Sequence, residues 1–419
     1  MKLHNLIKLT QMVVIVLIIF AGRTDFGINL PPIPIYIGVI GIIGLLLSFI
    51  IMKKREGYGL SNPLYTSLLF FFSIILLVGN YTDTNQYGFT KSLEFTFYVF
   101  FLILIIDICI QQRKDLINLI KSFYFVALLM ALTSIAMGIV NNTLFTERLT
   151  FLNSGSNTFS RMMFMGLSAN IFIILSSKRG FIKYFGLWIF LGAIFLSGSR
   201  QTILGAVIFV VLFLLLTTVK TKKIKGKVIL KFTALLTFLL IPIVFLWPLI
   251  QESRFYSRLL LLFSEDKGAS FNVRTWLIEQ AFLYGKESYL FGNGTGSFAL
   301  KLPEYIYPHN IFAEIFMENG ILGLLILFII IIYPLYNMKK INIRSDYNTK
   351  LVNDTLLIMY LFSLYTAQIS GDLYDNRWIF IFGLLLLKNA VWTRREYVES
   401  KNSDVRFKQS IPQYKGGNN

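Results

Sequence analysis

His309 is the residue of this sequence best suited to proton transfer. It is one of two histidines in 419 residues, and the other, His4, lies close to the N-terminus. It lies at the end of a polar stretch, residues 251–310, that separates two long apolar segments. Because an imidazole titrates near neutral pH, His309 is a candidate general base at a membrane surface.

Two carboxylates follow His309 at the start of the next apolar segment. Glu314 and Glu318 are four residues apart, so a helix would place them on one face. Carboxylates at the edge of a membrane segment are costly unless they are paired or bound. We expect them to hold substrate hydroxyls or to orient an arginine, and for Glu318 we expect a structural ion pair with an external arginine.

Other ionisable groups lie outside this stretch. Asp372, Asp375 and Arg377 stand between two C-terminal apolar segments and are candidates for lining the same cavity. Asp107 lies inside an apolar segment, where an acid is a functional candidate by rule. The basic residues that closely follow Asp107 instead favour ordinary ion pairing.

Membrane helices must position these groups. The chain is 55% hydrophobic and 15% charged, with a mean hydropathy of +0.64, which excludes a soluble globular protein. Apolar stretches of roughly 17 to 25 residues, long enough as helices to cross a bilayer, recur about twelve times. They lie near residues 6–22, 33–52, 62–79, 93–110, 117–140, 160–176, 181–197, 201–219, 228–250, 318–337, 351–370 and 378–393.

The fold class that follows is an all-α polytopic membrane protein with a large external loop. We predict transmembrane helices 1 to 9 within residues 1–250 and the external loop, carrying the catalytic motif and short interfacial helices, at 251–310. Transmembrane helices 10 to 12 then occupy 311–395, and residues 396–419 form a cytoplasmic tail. Basic residues cluster in every second loop, which by the positive-inside rule places both termini in the cytoplasm. The net charge of +18 therefore reflects topology, and no nucleic-acid partner is expected.

The residue inventory argues against a metal or cofactor. The single cysteine, Cys109, allows no disulfide framework, and two histidines without clustered ligands make a zinc or iron centre improbable. The chain has no Asp-x-Asp pair and no soluble domain that would hold a nucleotide sugar. Any substrate must therefore come from the lipid or from the external side.

Two parts of the external loop predict local structure. Apolar residues between 273 and 284 recur at helical spacing, which indicates an interfacial helix along the bilayer, and residues 258–263 indicate another interfacial piece. Gly292, Gly294 and Gly296 then form a turn-rich loop. It lacks the Gly-Lys-Ser/Thr ending of a nucleotide phosphate loop.

In combination, these motifs resemble the O-antigen ligase and O-antigen polymerase family of bacterial membrane proteins. The resemblance covers roughly residues 148–324, and the first five helices show none at motif level. The matching segments are Gly292-Asn-Gly-Thr-Gly-Ser-Phe298, Pro308-His-Asn310, Glu314, Glu318-Asn-Gly-Ile-Leu-Gly323, Ser197-Gly-Ser-Arg200 with Gly205, and Arg148-Leu-Thr-Phe151 with Asn157.

The resemblance implies a metal-independent, inverting glycosyltransferase in the bacterial inner (cytoplasmic) membrane, with its active site facing outward. Its donor and acceptor would be polyprenyl-diphosphate-linked oligosaccharides, which it would polymerise into O-antigen, capsular or similar surface polysaccharide. The bilayer surrounds it, and flippase and chain-length regulator proteins are candidate partners. No cofactor is implied.

Physical chemistry suggests a role for individual residues in a transfer from a polyprenyl diphosphate. His309, kept neutral by the positive end of the helix that follows it, would activate the acceptor hydroxyl. Arg200 and Arg274 would hold the donor diphosphate, because a guanidinium can contact two phosphate oxygens at once. The candidates for further substrate binding are Arg148, Arg161, Asn310, Glu314, Glu318, Gly294 and Gly296.

Three alternatives remain open at the level of sequence. A ligase that transfers finished glycan to lipid A core or another acceptor would share every motif. A transporter or flippase of lipid-linked sugar would place its polar residues at mid-membrane depth, in broken helices. A scaffold of a polysaccharide assembly complex would leave Arg200, Arg274 and His309 far apart.

Overall fold

The computed structural model describes residues 2–20, 62–82, 86–152, 154–176, 182–218, 269–339 and 346–410, together with residues 251, 256 and 260. Within these ranges the regular structure is helical, and no β-strand occurs. The α-helices are α1 (Lys2–Phe20), α2 (Pro63–Val78), α3 (Gln86–Phe95), α4 (Leu102–Cys109), α5 (Arg113–Val140), α6 (Ser156–Ser176), α7 (Ile182–Leu196), α8 (Arg200–Thr218), α9 (Ala269–Gly285), α10 (Ser297–Lys301), α11 (Ile311–Lys339), α12 (Tyr347–Ala367) and α13 (Trp378–Ser410).

The predicted all-α polytopic membrane protein is confirmed. Among the described residues, five helical segments are long and apolar enough to cross a membrane, namely Tyr87–Cys109, Arg113–Val140, Ser156–Ser176, Arg200–Thr217 and Ile311–Met338. The first of these joins α3 to α4 through a π-helical segment, Thr96–Phe101. Every predicted span on described residues coincides with a helix, whereas those near 33–52 and 228–250 lie outside them.

Side-chain caps fix several helix starts. Asn62 accepts a hydrogen bond from the Tyr65 amide, and Pro63 occupies the first helical position, where no amide hydrogen is needed. Asp346 caps α12 in the same way by accepting from the Thr349 amide. The first cap explains why α2 starts close to the predicted residue 62, and the second explains why α12 starts at Tyr347, four residues before the predicted 351.

The helices around the site pack closely on aromatic side chains. Phe164 of α6 stacks on Phe362 of α12 with ring centroids 3.6 Å apart. Gly205 of α8 lies against the same ring, because a Cβ at this position would stand 2.8 Å from Phe362. Helices α6, α8 and α12 therefore form one tight layer of the bundle.

Buried ion pairs join helices that are distant in sequence. Asp107 of α4 is paired, as expected, and the structure identifies Lys388 of α13 as a partner, 2.5 Å away, with both side chains almost fully buried. Helix α13 continues to Ser410, through most of the predicted tail. The second interfacial piece, residues 258–263, is outside the described residues except for Leu260.

Candidate active site

The site begins where α11 begins. Asn310 caps this helix, since its side-chain oxygen accepts from the amides of Phe312 and Ala313 at 3.0 Å. Its side-chain nitrogen donates to the backbone and side-chain oxygens of Gln368, at the end of α12. Asn310 thus fixes the start of α11 to the end of α12, which places the preceding residue at this junction.

His309, that preceding residue, has an unusual backbone and a partly buried ring. Its φ is +62°, a left-handed conformation that few non-glycine residues adopt. The ring lies edge-on to Tyr307 with centroids 4.7 Å apart. Among the described residues, its buried Nδ1 has no hydrogen-bond partner. Such a ring nitrogen is available to a ligand.

The electrostatic surroundings keep His309 neutral. Its pKa is lowered to about 4. Burial is the largest cause, the positive charges of Arg274 and Arg161 also lower the pKa, and Asp372 raises it. The sequence prediction of a neutral imidazole therefore agrees with the structure. Burial is the largest cause of the low pKa, whereas the sequence indicated only the dipole of the following helix.

Two arginines lie within electrostatic reach of His309. Arg161 of α6 is buried, and it donates to the carbonyl oxygens of Ser370, at 2.7 Å, and Thr366 and to the side-chain oxygen of Asn376. None of these partners is a carboxylate, and its Nε has no partner among the described residues. Arg274, half-buried on α9, is the second arginine. The arrangement provides positive charge beside a neutral imidazole.

The motif around Arg200 meets the motif around Arg148 in one network. Arg148 donates to the Ser197 carbonyl at 3.0 Å and to the Asn157 side chain at 3.4 Å. Ser199 also donates to Asn157, which in turn donates to Ser370, the residue that binds Arg161. Arg200 follows Ser199 as the first residue of α8 and is half-buried. The conformation of these motifs is thus set by mutual hydrogen bonds.

The glycine loop docks on a break in α11. The amides of Asn293 and Gly294 donate to the carbonyls of Met317 and Glu318, both at 2.9 Å. Helix α11 breaks at Gly320, which has φ +64° and ψ −165°. A Cβ at Gly292 would lie 2.3 Å from the Glu318 carbonyl carbon, so the close approach requires glycine. Gly294 therefore helps to attach the glycine loop to α11. Substrate binding by Gly294 and Gly296 stays a prediction.

Glu314 and Glu318 form a buried ion triplet with Lys91 of α3. The Lys91 ammonium contacts both carboxylates, with 2.5 Å to Glu318, and all three side chains have no exposed surface. Glu318 is therefore in a structural ion pair, as expected, but its partner is a lysine of the third helix and not the predicted arginine. Glu314 also accepts from the Leu373 amide at 3.4 Å.

The predicted group between the last two helices reaches the site in part. Asp372 is buried, accepts from the Tyr87 hydroxyl at 2.9 Å and acts on His309 electrostatically. Arg377 is also buried, but its guanidinium donates to the carbonyls of Tyr374 and Ile19. Asp372 thus contributes to the site, whereas Arg377 joins α13 to α1.

Sequence reasoning did not find Lys91, Tyr87 or Gln368. Lys91 lies two residues before the predicted span 93–110, and a lysine at the edge of a membrane segment is a signal that could have indicated it, because such a residue needs a partner. The helix predicted between residues 273 and 284 is observed as α9, and its position at the bilayer surface stays a prediction. Leu277 and Ala281 are buried against α11 and the residue Phe298.

One comparison with known proteins finds a family that part of the chain matches. Residues 185–328 match the family model of O-antigen ligase. Over this segment, the chain is similar to the O-antigen ligase family. No curated protein matches the chain. The O-antigen ligase match contains Arg200, Arg274, the glycine loop and His309, and it ends within α11, at residue 328. Arg148, Arg161 and Lys91 lie outside it.

The match to the O-antigen ligase family supports a class of activity. Enzymes of this family transfer glycosyl groups and act at the bacterial inner membrane on lipid-linked glycans. The match accordingly supports a membrane function of the O-antigen ligase or polymerase type for this multi-pass chain.

Proposed function

We propose that this protein polymerises polyprenyl-diphosphate-linked oligosaccharide repeat units into a surface polysaccharide, at the outer face of the cytoplasmic membrane and with both termini inside. The observation that supports this best is a neutral, half-buried histidine beside two arginines. A neutral imidazole accepts a proton, and guanidinium groups stabilise a leaving diphosphate.

The proposed step is a single displacement. The acceptor hydroxyl oxygen attacks the anomeric carbon of the donor sugar as its proton passes to the His309 imidazole. The bond between that carbon and the diphosphate oxygen breaks, and both bonding electrons leave with the diphosphate. Attack opposite the leaving group inverts the anomeric carbon. Arg274 and Arg161, with Arg200 at the start of α8, hold the diphosphate in place of a metal ion.

Binding of the donor would also activate the base. The charges of Arg274 and Arg161 help to hold the pKa of His309 near 4 in the free protein. A bound diphosphate would neutralise those charges, so the pKa of His309 would rise in the complex and the imidazole would become a stronger base. The same two residues would thus bind the leaving group and tune the base.

The test is reconstitution in liposomes with a single lipid-linked repeat unit. A polymerase makes a ladder of products from this substrate alone, and the ladder is read on a gel. His309→Ala should lower the rate by about 10²- to 10⁴-fold, the range typical of general-base removal. His4→Ala, which removes the only other histidine, should leave the ladder unchanged. Unaltered long chains from stably inserted His309→Ala protein would reject the role of His309.

The same assay separates the alternatives. A ligase would be inactive with the repeat unit alone but would transfer it to an added lipid A core acceptor. A flippase would move the substrate across the bilayer and form no covalent product. Either result would replace the polymerase proposal.

A further inference from the structure

Helix α3 presents one polar face to the site, although it lies outside the segment that matches the family. Tyr87 and Gly88 both neighbour Lys91 on this face, because they precede it by four and three residues. Each contacts a different part of the site. The Tyr87 hydroxyl binds Asp372, and the Gly88 backbone lies so close to the glycine loop that a Cβ would stand 2.1 Å from the Thr295 carbonyl oxygen.

Lys91 joins two separate features of α11. Glu314 lies one turn after the cap Asn310, which fixes His309, and Glu318 lies two residues before the break at Gly320. The Lys91 ammonium contacts both carboxylates without any exposed surface. One side chain therefore connects the start of α11 with the break on which the glycine loop docks.

Stability alone is a poor explanation of this arrangement. A buried ion group is often no more stabilising than well-packed apolar side chains, because desolvation offsets the attraction between the charges. Fixing a particular geometry is the better attested use of such a group. The geometry fixed here is that of the histidine and the glycine loop.

We propose that Lys91 is a positioning residue for glycosyl transfer, which sets His309 and the glycine loop relative to the donor-binding arginines. This inference rests on the proposed function. It predicts that loss of Lys91 slows the chemical step more than it weakens donor binding, since Arg161 and Arg274 lie on other helices, α6 and α9. A displacement of about 1 Å at the reacting groups is enough to cost about 100-fold in rate.

The experiment compares Lys91→Met with Lys388→Met. Lys388 is a matched control, because it is also a buried lysine in contact with a buried carboxylate, Asp107. In liposomes, with rates expressed per folded molecule, Lys91→Met should lower kcat at least about tenfold and change the KM for the lipid-linked donor less than about threefold. Lys388→Met should leave both constants unchanged per folded molecule.

Equal kcat per folded molecule for Lys91→Met and the unaltered protein would overturn the proposal, and so would equal losses in both variants. If Lys91→Met does not accumulate, Lys91→Arg replaces it, since it keeps the charge but alters the contacts. For Lys91→Arg, kcat should again fall while KM changes little, and the fall in kcat should be smaller than for Lys91→Met. An unchanged kcat overturns the proposal.

Hydrogen–deuterium exchange tests the positioning without any substrate. The amides of Asn293 and Gly294 donate to α11, so Lys91→Met should raise their exchange and that of the first turn of α11, whereas Lys388→Met should not. Unchanged exchange in Lys91→Met contradicts the proposal. If the unaltered protein makes no ladder, the polymerase proposal fails while this measurement still decides the role of Lys91.

Discussion

Lowering the pH from 7 to 5 should barely affect kcat/KM of this protein, although the proposed base is a histidine. The pKa of His309 lies at about 4 because the ring is buried and two arginines are near. With that pKa, about 90% of the imidazole is still neutral at pH 5, so the rate should fall by only about a tenth. With an ordinary histidine, whose pKa is about 6.5, the neutral fraction and therefore kcat/KM would fall about 25-fold over the same interval.

The assay is the initial rate of chain extension at limiting donor, measured from pH 3.5 to 8 at about half-unit intervals. The fraction of folded protein is followed at each pH, so that acid unfolding is not mistaken for titration. The profile of kcat/KM reports the free protein, and that of kcat reports the complex. Because bound diphosphate offsets the arginine charges, the acidic limb of kcat should lie at higher pH than that of kcat/KM.

Arg274→Gln tests the cause of the low pKa. Removing this positive charge removes one of the influences that lower the pKa of His309, so the acidic limb of kcat/KM should move to higher pH. Arg200→Gln is the control, because Arg200 is not among the charges that set this pKa, and the limb should keep its position even if the rate falls. A wild-type limb near 6.5, or an unmoved limb in Arg274→Gln, would refute the reasoning.

Three further outcomes are expected. Gly292→Ala should lower the free energy of unfolding by at least about 1 to 3 kcal/mol, because φ is +78° and the added Cβ would meet the Glu318 backbone. The control is Gly155→Ala, whose added Cβ would have no neighbouring atom within 4 Å, so the melting temperature should change little. Lys388→Met should lower the free energy of unfolding by about 3 to 5 kcal/mol, because the buried Asp107 loses this partner. The double variant Lys388→Met with Asp107→Leu should recover most of that free energy, as measured by chemical denaturation. Excess chelator should leave the extension rate within about twofold, since the proposal assigns the diphosphate to arginines, and rescue by added Mg²⁺ would contradict it.

Much of the architecture could be predicted because its signals are local. Hydropathy over one helix length identifies a span, and caps such as Asn62 act within one turn. The motif around His309 was also visible, since Pro308, His309 and Asn310 are adjacent. The break at Gly320 was not predicted, because a glycine inside an apolar segment does not reveal which loop will dock on it.

The sequence by itself determined that this protein is an all-α membrane protein with a polar loop and a histidine motif at the start of a helix. Only the tertiary structure decided that Lys91 meets Glu318, 227 residues away, and that Arg161 and Arg274 lie near His309. The reason is physical. Hydrophobicity places a helix in the bilayer, but the rotation of each helix and its neighbours depend on packing over the whole bundle, so partners distant in sequence become known only when the helices are assembled.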